Sequence, residues 1–67
     1  MNNEVVKFIL ENILENTEEV ANLERNEFND GKRLAYYEIL NLIKNQLEIN
    51  DIDLEEYGLN FTLEDLL

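Results

Sequence analysis

The sequence predicts an all-α protein: an antiparallel helical hairpin over residues 3–48 and an acidic, folded-back tail over 49–67 with one or two helical turns, assembled as a dimeric helical bundle. Two features predict the helices. Apolar residues recur at three- and four-residue spacing through both halves of the hairpin segment, and Pro is absent, so nothing interrupts the pattern. A third predicts the assembly. A single domain of 67 residues buries only about 60% of the surface its unfolded chain exposes, and this one has no Cys for a disulfide and no His or Cys for a zinc site. Leu, Ile, Val and Phe still fill 24 of the 67 positions, more than a disordered acidic chain carries. Pairing of chains is the simplest way to cover them, and two-fold dimers are the commonest closed assembly.

The first helix reads from Asn3. Val6, Ile9, Leu10, Ile13, Leu14, Thr17, Val20 and Ala21 share one face, and Glu4, Glu11, Glu15 and Glu18 fall on the opposite one. A tandem repeat, Ile9-Leu10-Glu11-Asn12 and Ile13-Leu14-Glu15-Asn16, lays two apolar pairs in one seam because its period nearly matches the helix turn. Two positions compete for the break. Asn16 with Glu19 three residues on has the form of a capping box that starts a new helix near Thr17, whereas Asn29-Asp30-Gly31 is a turn signal. The early break is preferred and gives helices over 3–16 and 18–48, with Gly31 inside the second.

The second helix carries two apolar series: Phe28, Gly31, Ala35, Ile39 and Leu42, flanked by Tyr36, Leu40, Ile43 and Leu47. Together they make a stripe wide enough to touch two neighbours, and these nine residues are the expected interface of the dimer. Tyr36 and Tyr37 point about 100° apart, so one ring joins the Leu40 row while the other sits near the rim. After Leu47 the character changes. Asp53 with Glu56 can cap a short turn that Gly58 ends, and Thr62 with Asp65 suggests another. Ile52, Leu54, Tyr57, Leu59, Phe61, Leu63, Leu66 and Leu67 are too many apolar residues for a free tail, so it is expected to pack on the hairpin or on a partner subunit.

Sixteen acids against five bases give a net charge of -11. Direct binding to nucleic acid or to an anionic membrane would work against that field, and a basic protein partner is the easier match. The charge is uneven: residues 1–24 carry -5, residues 25–47 carry +1 and residues 48–67 carry -7. Arg25, Lys32, Arg33 and Lys44 are thus the expected counter-charges for the folded-back ends. No apolar run approaches the roughly 18 residues of a membrane span, and the basic-then-apolar layout of a signal peptide is missing; the expected setting is cytoplasmic.

The inventory excludes most catalytic chemistry, since without His, Cys or Ser no Ser-His, Cys-His or His-metal arrangement can be built. Asp51, Asp53, Glu55 and Glu56 alternate as calcium loops begin, but such a loop needs Gly where Glu56 stands and Glu where Thr62 stands. Gly31-Lys32-Arg33 lacks the upstream Gly and following hydroxyl of a phosphate-binding loop. No catalytic, cofactor-binding or metal residue is assigned.

At Phe28, Gly31, Lys32, Ala35, Tyr36, Tyr37, Glu38, Leu40, Ile43, Lys44, Gln46 and Leu47, followed by Ile52-Asp53-Leu54-Glu55 and Gly58-Leu59, the chain resembles a loose set of short uncharacterised helical proteins of Gram-positive bacteria and their mobile elements. The resemblance implies a helical fold, an intracellular setting and Gly31 as a packing residue more than a turn. It brings no activity or cofactor. The expected function is a small non-enzymatic interaction protein acting as a homo-oligomer. The alternative is an acidic phage- or plasmid-type inhibitor that imitates nucleic-acid charge.

Overall fold

The computed structural model describes residues 3–67, with only the backbone of Asn3; Met1 and Asn2 of the expected 1–67 domain lie outside it. Helix α1 spans Asn3–Ala21 and α2 spans Glu27–Ile49, and two short 3₁₀ turns follow at Leu54–Tyr57 and Leu63–Leu66. No strand occurs among the described residues. The all-helical hairpin is therefore the fold, but its break lies at neither position the sequence favours.

Helix α1 runs through Asn16 and Thr17. The Thr17 hydroxyl donates to the Ile13 carbonyl one turn back at 2.7 Å, so it is satisfied inside the helix, and the capping box at Asn16 is not used. At Asn29-Asp30-Gly31 the chain is likewise helical. The cap is Asn26, whose extended backbone and side-chain oxygen, accepting from the Asn29 N–H at 2.8 Å, satisfy a donor of the first turn.

What closes the 22–26 connection comes from α2. The Asn29 amide donates to the Glu24 carbonyl at 2.9 Å, and the Arg33 guanidinium donates to the Leu23 carbonyl. Asp30 then accepts from Arg33 at 2.7 Å and from Arg25 at 3.4 Å. Arg33 is buried, so its charge is matched within one turn of its own helix.

Both exits into the tail use one device. Ile52 N–H returns to the Leu47 carbonyl and Asp51 N–H to that of Glu48, with Asp51 left-handed at φ 57. Leu59 N–H returns to Leu54 and Gly58 N–H to Glu55, with Gly58 at φ 74. Each is a Schellman closure. Asp is among the few residues that tolerate the left-handed region, and Gly does so freely. Asp53 caps the first 3₁₀ turn by accepting from Glu55 N–H at 3.1 Å.

The tail lies on the hairpin and completes its core. Leu40 of α2 and Leu59 and Leu63 of the tail form the buried centre, with Ile13 and Leu14 of α1, Tyr37, Ile43 and Leu47 of α2, and Leu54 and Leu66 packed around it. Lys7 pairs with Glu56 at 3.4 Å and stands 5.6 Å from the Tyr57 ring centre, Lys44 donates to the Phe61 carbonyl, and the Tyr37 hydroxyl donates to Glu64 at 3.3 Å. The ion pair to the tail thus comes from Lys7. Arg25 and Arg33 pair with Asp30 within the hairpin, and Lys32 stacks on Phe28, so these three are not the counter-charges for the ends.

Candidate interaction face

At 3.6 residues per turn, the tail sits over the sides of the helices that carry Leu14 and Lys7 on α1 and Tyr37 and Lys44 on α2. On the opposite side of the hairpin no other helix or turn packs among the described residues. From α1 it presents Ile9, Asn12 and Asn16, all exposed. From α2 it presents Phe28, Lys32, Ala35, Ile39, Leu42, Gln46 and Ile49, also exposed. The α2 set alternates steps of four and three, the spacing of a coiled-coil seam. Phe28 and Ile49 are each 72% exposed, Leu42 63% and Ile39 47%.

The nine expected interface residues therefore divide. Phe28, Gly31, Ala35, Ile39 and Leu42 lie on this bare side. Leu40 does not: it is fully enclosed by its own chain, with Ile43 and Leu47 packed against the same cluster. The tail takes the row these three belong to, so they pack within the chain. Tyr36 is half-buried between the two rows. Its neighbour Tyr37 packs on the core, and the Glu64 carboxylate beside it, with desolvation adding, raises its hydroxyl pKa above the ordinary value.

Gly31 has no neighbour within 4 Å of where a Cβ would stand, so it packs against nothing within the chain. Lys32 rests its ammonium 4.7 Å from the Phe28 ring centre, which covers part of an exposed aromatic by cation–π attraction. Ile49 is not among the nine expected residues, although it stands seven residues after Leu42 and fourteen after Ala35. Phe8, 64% exposed on α1, lies off the inward seam of that helix, so the spacing of the seam does not mark it.

The acids lie elsewhere. Glu4, Glu11, Glu15 and Glu18 are exposed on the outer side of α1, and the α2 row on the bare side contains no carboxylate, whereas exposed Glu19 continues the α1 row three residues after Asn16. Asp53 is a cap and Glu56 an ion-pair partner. Among the described residues no three metal-ligating side chains stand close enough to hold an ion, and no helix is long and apolar enough to cross a membrane. Two open clefts flank the tail. One contains the Lys7–Glu56 pair, and the other is lined by Leu14, Thr17, Glu18, Ala21, Asn22, Gly58, Phe61 and Leu66.

No protein-family model matches the chain, and searches of curated proteins and of solved structures find no match.

Proposed function

We propose that this chain is a small non-enzymatic interaction protein that works through protein–protein contacts as a homo-oligomer, most simply a two-fold dimer, in the cytoplasm. The observation that carries this reading is the exposed α2 row. A helix of a small monomer ordinarily shows one apolar stripe to its core and charge elsewhere. Here a second stripe, from Phe28 to Ile49, runs the length of the helix in water. Contiguous exposed apolar surface of this kind marks interaction sites. Charge supports self-pairing along α2, because two chains of -11 each repel least where the facing row carries no carboxylate, and the row from Phe28 to Ile49 carries none.

Light scattering coupled to size exclusion, at micromolar protein and moderate salt, tests the reading. The expected mass is twice the 8.0 kDa of the chain, and a mass of one chain overturns it. Ala35→Glu places a charge in the seam and is expected to abolish the dimer while leaving helicity unchanged. Glu15→Gln, on the outer side of α1, is expected to leave the dimer intact.

A further inference from the structure

The order of side chains along the α2 row points to how a second copy meets it. Read from either end, the row is apolar, polar, apolar, apolar, apolar, polar, apolar: Phe28, Lys32, Ala35, Ile39, Leu42, Gln46, Ile49. The pattern is palindromic about Ile39. We propose that two copies pair antiparallel, α2 against α2, about a two-fold axis crossing the helix near Ile39, so that the Phe28 end of one chain covers the Ile49 end of the other. The inference rests on the self-association proposed above.

An antiparallel two-fold pairing matches each position with its mirror in the row. Phe28 meets Ile49 of the second copy, the two most exposed apolar side chains of the helix. Ala35 meets Leu42 of the second copy, small against large, which is how facing positions interdigitate. Lys32 meets Gln46 of the second copy, whose amide oxygen can accept from the ammonium. A parallel pairing instead sets Ala35 on Ala35, which leaves a gap, and Lys32 on Lys32, two ammonium groups in a seam that holds no acid.

Charge along the helix favours the same direction. Residues 25–33 contain Arg25, Glu27, Asp30, Lys32 and Arg33, a net +1, and residues 44–53 contain Lys44, Glu48, Asp51 and Asp53, a net -2. Antiparallel pairing lays the positive end on the negative end twice; parallel pairing lays like on like. Opposed helix dipoles act in the same sense. Size also fits. The body measures 37 × 20 × 16 Å, so its long face is of the order of the ~800 Å² per partner that a stable interface occupies. That is about a sixth of the 4931 Å² surface.

Single thiols test the direction, because the chain has no Cys of its own. Phe28→Cys and Ile49→Cys each replace a side chain 72% exposed, so both variants are expected to keep the circular dichroism of the parent. Mixed and mildly oxidised, they are expected to form the Phe28–Ile49 mixed disulfide at least roughly tenfold faster than either forms a disulfide with itself, because pairing holds those thiols at high effective concentration. Ile39→Cys, near the axis, is expected to crosslink to itself. Self-crosslinking of Phe28→Cys as fast as the mixture, in a protein of dimer mass, overturns the orientation and leaves self-association standing. A dimer in which none of the three thiols crosslinks overturns the α2 face. A single-chain mass for the parent protein overturns both the orientation and the function it rests on.

Discussion

Leu40 and Leu42 are the same residue type, two positions apart on one helix, and no property of the side chains distinguishes them. One is completely enclosed and the other is 63% exposed, because two residues of helix rotate the side chain by about 200°. Around Leu40 the chain has gathered Leu59 and Leu63 of the tail with Ile13 of α1. Leu42 belongs to no buried cluster among the described residues. The contrast teaches that the width of an apolar stripe does not say which part of it belongs to the protomer. A segment elsewhere in the sequence decides that by covering one half and leaving the other.

The largest effect that can break this comparison comes from truncating the two leucines. Leu40→Ala is expected to lower the unfolding free energy of the protomer by about 2–5 kcal/mol. Leu42→Ala is expected to stay within about 0.5 kcal/mol. Urea denaturation at concentrations where the chain is monomeric measures both, and equal effects would mean that the two rows are not distinct.

Adjacent cations make a second pair. Arg33→Met removes the side-chain donor to the Leu23 carbonyl and the closer of the two cations on Asp30, for an expected loss of about 1–3 kcal/mol. Lys32→Met, on the bare side, is expected to change protomer stability by less than about 0.5 kcal/mol.

The two glycines sharpen the contrast by sign. Gly58→Ala forces a Cβ into a left-handed position, 3.4 Å from Leu14 Cδ1, and is expected to destabilise by about 1–2 kcal/mol. Gly31→Ala, in open space inside a helix, is expected to stabilise the protomer by about 0.5–1 kcal/mol. Thermal melts of the two variants would show opposite shifts.

The smallest effect is the pH response of the covered side. Glu64 and desolvation raise the Tyr37 pKa in the folded state, so the fold holds this proton more tightly than the unfolded chain does. The contribution is complete below the unfolded tyrosine value of about 10 and is lost as pH rises through the folded value. Urea midpoints taken on either side of that window are expected to fall less in Tyr37→Phe than in the parent. Identical profiles would detach Tyr37 from the tail.

The helices were legible because their periodicity is local and Pro is absent. The tail turns were legible because Asp53, Gly58 and Thr62 are residues whose backbone preferences mark caps and turns. The break was not. Asn22, Leu23, Glu24, Arg25 and Asn26 carry neither Gly nor Pro, and what holds them is reached from outside, by Asn29 on the Glu24 carbonyl and Arg33 on that of Leu23. Asn26 with Asn29 was the one available signal, overshadowed by the Asn29-Asp30-Gly31 triplet. At the candidate face the spacing marks Phe28, Ala35, Ile39 and Leu42 but not Lys32, and it groups Leu40, Ile43 and Leu47 with them, because periodicity cannot tell which row a later segment will take.

Two of the three leucines at the centre of the core, Leu59 and Leu63, come after the hairpin in the chain, and this gives the fold an order in time. Until they dock, a hairpin has Leu40 uncovered as well as the Phe28–Ile49 row, so both sides of α2 are apolar surface. The docking of Leu59 and Leu63 ends that ambiguity, and only afterwards does α2 show a single exposed apolar row.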